Sequence, residues 1–207
     1  MIGAGGHARV LEEALNEVGF ELSGFVAPSA EGSRLSEDVE WLGNDDALLA
    51  EDPSAVLLIN GIGSAGNTPG RTAVFENYKK AGFDFLQIVA ETANISDSAV
   101  LVEGVQALAG AIINTDAFIG DNTIINTGAI VEHHTQIGAN CHVATGATIC
   151  GDVTVGDGTH VGAGATVIQG IKIGAKCIIG AGAVVITDVP DGHTAVGVPA
   201  KIRPNKA

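Results

Sequence analysis

From Ala93 to Asp188 the chain divides into sixteen blocks of six residues, opening ANISDS, AVLVEG, VQALAG and closing IKIGAK, CIIGAG, AVVITD. The third position of the block is Ile, Leu or Val in fifteen of the sixteen, with Ala107 the exception. The first position is Ala, Val, Thr, Cys or Ile throughout. A period of six suits neither the 3.6-residue repeat of a helix nor the two-residue repeat of a sheet. It suits a solenoid with three short strands per turn, one block to a side. Each block then stacks on the one eighteen residues later, at about 4.8 Å per coil. The branched residue fills the prism and the small one points in where a corner narrows. Glycine recurs at block positions six and four, joined by Asn122 and Asn140. These residue types tolerate the positive φ that tight corners require.

The first 92 residues follow another rhythm. GAGGHARVLEEALNEVG reads as a glycine turn feeding an amphipathic helix, with Val10, Leu11, Ala14, Leu15 and Val18 on one face. FELSGFV, SAVLLINGIGS and FDFLQIV read as strands. NDDALLAED is a short helix capped by Asn44, and TPGRTAVFENYKKAG a longer one with Pro69 near its start. Alternating strands and helices with short loops make a small parallel α/β domain, Rossmann-like, whose ligand belongs at the C-terminal ends of the strands. The expected division is an α/β domain over 1–92, a parallel β-helix over 93–188 and a tail over 189–207. Gly3, Gly5 and Ala8 match the G-x-G-x-x-G/A pattern, a weak signal alone. Only Met1 and Ile2 precede it, and Ala27 and Pro28 stand where a dinucleotide site needs an acidic residue. Part of a first strand before Gly3 is therefore expected to be missing.

Composition narrows the partners. A net charge of −14 argues against nucleic acid and acidic membrane surfaces. The longest apolar run, AVLLI at 55–59, is too short to span a bilayer. Cys141, Cys150 and Cys177 show no metal-type pairing, and an odd count without a signal peptide fits the cytoplasm. No Lys or Arg lies between Ala81 and Ile171, yet Lys172, Lys176, Lys201, Arg203 and Lys206 crowd the end of the chain. That cluster is either a solvated tail or a local site for an anionic ligand. His133, His134 and His142 fall within eighteen residues, which raises the question of a metal. On the block grid they separate: His133 is at position five, His134 at the corner beside it, and His142 half a coil away.

The hexapeptide pattern resembles that of the left-handed β-helix acyltransferases. GAGGHA, NGIGS, INTGAIVEHH and the terminal VGVPAK together resemble the nucleotide-sugar N-acetyltransferases and sialic acid O-acetyltransferases, over nearly the whole chain. The resemblance implies left-handed coils, a homotrimer, and acetyl-CoA bound in grooves between subunits, with no metal. It implies direct acetyl transfer to an amino or hydroxyl group of a sugar, without an acyl-enzyme. His133 matches the general base, a role suited to a group that titrates near neutrality. Asn126 matches a residue of the same pocket, and His134 occupies the position next to the base. His142 matches a contact to acetyl-CoA near the thioester, where its backbone N–H is expected to steady an oxyanion. Gly151, Ala163 and Ala181 match positions lining the coenzyme A groove, and Lys201 a phosphate contact. Gly5, Gly6, His7 and Gly63 match the pocket for the sugar nucleotide. His160 and His193 are expected at the surface.

Two departures stand out. Family members usually carry Asp or Glu directly after the base, where this chain has His134. Members that bind UDP tend to have acidic residues where this chain has Ala27 and Pro28. Acceptors of the sialic or legionaminic type, for O-acetylation, are therefore an alternative to UDP- and GDP-linked 4-amino sugars. Other readings are a protein that binds a nucleotide sugar without catalysis, a serine acetyltransferase or succinyltransferase branch, and a zinc carbonic anhydrase on the same prism. The His spacings of 1, 8 and 18 do not fit the His–x4–His pair of the last.

Overall fold

A computed structural model describes residues 1–64 and 69–205. It consists of a small α/β domain docked on a left-handed parallel β-helix. The solenoid strands are two residues long and pair in parallel with the strand eighteen residues on. They build three flat faces. The domain-side face stacks Ile88–Val89, Gln106–Ala107, Ile124–Ile125, His142–Val143, His160–Val161 and Ile178–Ile179. The middle face runs from Asn94–Ile95 through Ile130–Val131 to Val184–Val185, and the third face from Val100–Leu101 to Lys172–Ile173. Block positions one and three form a continuous dry core, from Val105 through Ile125 and Val143 to Ala195. Cys141 and Cys177 are buried at the narrowing inward position, as their place in the block requires.

Glycines at the two corner positions answer to different constraints. Position six has positive φ at every block from Gly104 to Gly182, including Asp116, Asn122, His134, Asn140, Asp152 and Lys176. Position four does not. A Cβ on Gly120, Gly156 or Gly162 would come within 2.7 Å of backbone on the next coil. Those glycines are needed for close approach between coils and not for a left-handed conformation, which corrects the single reason expected for both.

In the front domain, β1 (Phe25–Val26) pairs with β2 (Trp41–Gly43), and β3 (Leu57–Leu58) with β4 (Asp84–Phe85), all in parallel. Ile2 joins the two pairs by bridging Val26 and Asn60. Met1 and Ile2 therefore occupy the central strand position of the sheet. The segment expected as one strand at 83–89 is divided: β4 completes this sheet and Ile88–Val89 already lies on the solenoid. The helices are α1 (Gly6–Glu17), α2 (Asp45–Leu49) and α3 (Pro69–Lys80). The Asn44 side chain caps α2 by accepting from the amides of Asp46 and Ala47.

Helix α1 buries Ala8, Leu11, Glu12, Ala14 and Leu15, while Val10 and Val18 stay 42% and 44% exposed. The expected face was thus rotated. The true stripe at 8, 11, 12 and 15 contains Glu12, which an apolar count passes over. The Glu12 carboxylate accepts from the Ser36 amide and pairs with Arg9 at 2.9 Å. Burial works to raise it, and these bonds outweigh burial and hold it below the ordinary carboxylate range. Leu11, Leu15, Ile88, Leu108 and Ile124 share one cluster, so α1 is packed against the domain-side face of the solenoid. No helix among the described residues is long and apolar enough to cross a membrane.

Candidate active site

His133 and His134 stand at the edge between the middle and third faces, and both are exposed. Their Nδ1 atoms are 3.0 Å apart, with the rings nearly perpendicular at 85°. His134 holds φ at 60°, the corner conformation shared by every sixth position. Stacking by eighteen puts Asp116 one coil below His134, and its Oδ2 is 3.7 Å from His134 Nε2. One coil above His133 is Gly151, where a Cβ would come within 2.6 Å of the His133 Nε2. The imidazole lies directly against that glycine. Gly151 therefore makes room for the His133 ring, a contact that the expected role in lining the coenzyme A groove did not include.

Asn126 belongs to a different edge, between the domain-side and middle faces. Its Oδ1 accepts from the Thr127 amide at 2.7 Å, which turns its NH2 toward His142 Nε2 at 2.9 Å. His142 is 7% exposed and its ring meets that of His160 one coil above, centroids 5.0 Å apart. Burial pushes His142 down to about 3, with His160, His7 and Arg71 acting the same way and a Ser64 backbone hydrogen bond opposing. His142 is thus neutral at physiological pH. Its backbone N–H donates to Thr159 O at 3.0 Å, inside the coil ladder. The expected backbone oxyanion donor is therefore already engaged in the coil ladder. His160 is half-buried against His142, not a free surface group, and burial lowers it too.

The front domain adds His7 to this second edge's surroundings. Gln106 donates its NH2 to Asn60 O at 2.9 Å, so its Oε1 accepts from His7 Nε2 at 2.8 Å. Burial lowers His7 to about 4, the Gln106 bond raising it and Arg71 lowering it. A Cβ on Gly63 would sit 3.1 Å from His7 Cβ, which places the second glycine loop beside the first. Gly5 caps α1 without a side-chain bond, no acidic residue occupies the first turn, and Gly5 and Gly6 are exposed. Such a helix start presents free amides and positive potential to an anion. Arg34 is beside it, Nη1 3.9 Å from a Cβ built on Gly6. Arg71 is buried and donates to the carbonyls of Asn60, Ile62 and Asn122, tying the domain to the solenoid.

Ala163 and Ala181 are exposed on the Asn126 edge, one coil apart. The tail follows on the same edge: Val184 donates to Gly197 O and accepts from Ala200 N. Lys201 then opens an exposed strand, Lys201–Pro204, antiparallel to His193–Val196. Lys206 lies outside the described residues. So the expected residues divide into two sets within one chain: His133, His134 and Gly151 on one edge, and Asn126, His142, His7, Ala163, Ala181 and Lys201 along or beside the other. Among the described residues no three His, Cys, Asp or Glu gather where a metal could sit. Arg34, Arg71, Gln106 and Asp116 were missed from sequence. The eighteen-residue interval applied back from His134 points to Asp116; no comparable signal marks the other three.

Residues 1–77 match the family described as the PglD N-terminal domain, and residues 116–151 and 152–187 match the bacterial transferase hexapeptide family. A search of curated proteins finds no match. Among solved structures, PerB from Caulobacter crescentus, in complex with CoA and GDP-perosamine, is 39% identical. That match covers 98% of this chain and 95% of the other at a TM-score of 0.89. The acetyltransferase domain of PglB from Neisseria gonorrhoeae, in complex with acetyl coenzyme A, is 30% identical over 97% of this chain and 96% of its own, TM-score 0.89. WeeI from Acinetobacter baumannii shares the fold at 18% identity and a TM-score of 0.64. With 39% identity maintained over 98% of its length, the chain belongs to the hexapeptide-repeat, acetyl-CoA-dependent sugar acetyltransferases.

Proposed function

We propose that this enzyme transfers the acetyl group of acetyl-CoA to the amino group of a nucleotide-linked amino sugar, with His133 as general base. The observation that carries this reading is the exposed His133 imidazole lying on Gly151 with its Nδ1 3.0 Å from His134 Nδ1, which leaves the Nε2 side of the ring for substrate. The neutral amine attacks the thioester carbonyl carbon, forming C–N as the carbonyl oxygen takes up negative charge. His133 Nε2 accepts the proton from that nitrogen. The C–S bond then breaks, and the coenzyme A thiolate leaves and takes the proton from His133. The products are an amide and free coenzyme A, with no acyl-enzyme between.

The uncapped start of α1 with Arg34 suits the diphosphate of the sugar nucleotide, and His7 and Gly63 the sugar beside it. Ala27 and Pro28 stand where UDP-binding members carry acidic residues. That absence, and the GDP-perosamine held by the Caulobacter structure, put GDP-linked 4-amino sugars first among acceptors. The two sets of residues on separate edges support a site completed between copies, as in a homotrimer. The middle face that separates them presents Asn94, Ile112, Ile130, Thr148, Thr166 and Val184 outward, with no charge among them. Three free cysteines and an acetyl-CoA substrate fit action in the cytoplasm.

The test is acetyl-CoA turnover, read as thiol release, with GDP- and UDP-linked 4-amino sugars and with sialic and legionaminic acids. A 4-amino sugar nucleotide is expected to be consumed fastest. His133→Ala should lose roughly 100- to 10,000-fold in kcat while still binding coenzyme A. Turnover at the wild-type rate in that variant would remove His133 from the base role. Release of thiol only with the hydroxylated acids would convert the reading to O-acetylation.

A further inference from the structure

The base lacks the carboxylate that usually follows it, and the coil below supplies one. We infer that Asp116, acting through His134, holds His133 in the tautomer that leaves Nε2 free to accept the substrate proton. This rests on His133 being the base.

Donors and acceptors alternate along a chain of four nitrogens. His134 Nε2 is 3.7 Å from Asp116 Oδ2, too far for a hydrogen bond but near enough for the carboxylate charge to favour the N–H of neutral His134 on that nitrogen. Its Nδ1 is then bare and accepts from His133 Nδ1 at 3.0 Å. With its proton on Nδ1, His133 keeps an unprotonated Nε2. The opposite arrangement disarms the base. If His134 carries its proton on Nδ1, or carries two, His133 Nδ1 must accept, and the His133 proton moves to Nε2. Asp116 and His134 are therefore positioning residues, and only His133 meets the substrate.

The corner geometry explains why the relay can exist. Asp116 and His134 occupy the same block position in consecutive coils, with φ of 57° and 60°. Identical backbone conformation one coil apart points their side chains along the same edge. Other charged groups close to the pair are Asp152 at the same corner one coil further on, and Glu132. The Asp152 amide donates to His133 O, which fixes the backbone of the base. Glu132 is turned aside to accept from Asn114 Nδ2 at 3.0 Å. Asp116 is the carboxylate within reach of the His134 ring among the described ion pairs.

The fold allows clean variants. Asn sits at this corner position in Asn122 and Asn140, with φ of 55° and 56°, so Asp116→Asn keeps the corner. Asp sits there in Asp116 and Asp152, so His134→Asp does too. Asp116→Asn is expected to lower kcat roughly tenfold with KM for both substrates unchanged. A merely structural loss at the corner would persist whatever residue stands at 134. His134→Asp puts a carboxylate beside the base and should keep at least a third of wild-type kcat. In that background Asp116→Asn should cost nothing. Wild-type kcat in Asp116→Asn, or an equal loss in both backgrounds, would overturn the relay. If His133→Ala is dead while Asp116→Asn is unaffected, the relay alone fails; if His133→Ala is active, the base assignment fails with it.

Discussion

Gly151 and His133 show how a single missing Cβ can seat an imidazole. The two residues share a block position one coil apart, and the imidazole uses space that any other residue at 151 would fill. Gly151 is not among the positive-φ residues, so alanine meets no backbone penalty there. Gly151→Ala should therefore leave thermal stability nearly unchanged and displace an exposed ring. Misplacing a base by about 1 Å costs on the order of 100-fold in rate. A kcat loss of that size beside an unshifted melting curve is the expected result; a variant with wild-type kcat would show that the ring has room to spare. His133 stands out in the sequence as the candidate base because its motif is local. Its supports do not, because they belong to other coils. Only the eighteen-residue interval connects 116 to 134 and 133 to 151, and it does so through residue types as different as Asp, His and Gly.

At the scale of the elements, the solenoid was legible almost entirely, because one residue class recurs at one position and tolerates no slip. Phase, strand length and the inward face all follow from that. The front domain was less so. Its strands are two or three residues long, too short for alternation to declare itself. Segment 83–89 contributes to two sheets, and helix α1 places Glu12 in its buried stripe. The glycines offer a quantitative test of the two corner constraints. Gly146 has φ of 65° with nothing near its absent Cβ, so alanine there costs only the left-handed penalty of about 1–2 kcal/mol. Gly156→Ala would force a Cβ to within 2.5 Å of Ala175 N on the next coil and should cost roughly 3 kcal/mol or more. Denaturant midpoints of the two variants should rank in that order. The reverse ranking would mean that the coils can separate more easily than their contacts imply.

For the whole molecule, the decisive fact is that the proposed catalytic residues face outward at two different edges. Packing one chain more tightly cannot bring them together, since the middle face of the solenoid separates them. A second copy can. His133→Ala and Asn126→Ala, each inactive when expressed alone, should regain activity when co-expressed, because some sites then join an intact His133 edge to an intact Asn126 edge. Thiol release from purified mixed oligomers measures this. Mixtures no more active than either parent would place the whole site within one chain.

The docking of the front domain has a consequence for how such a chain can change in length. Arg71 and Gln106 clamp that domain to the first coils, and the histidine edge begins only one coil further along. Beyond Ala181 the solenoid carries little besides its own stacking and the tail. The molecule is thus a ruler with its zero fixed at one end and graduations of eighteen residues. An insertion or deletion of a whole graduation near the far end leaves the histidine edge where it stands. Any length that is not a multiple of six would turn the branched residues outward and unwind everything after it.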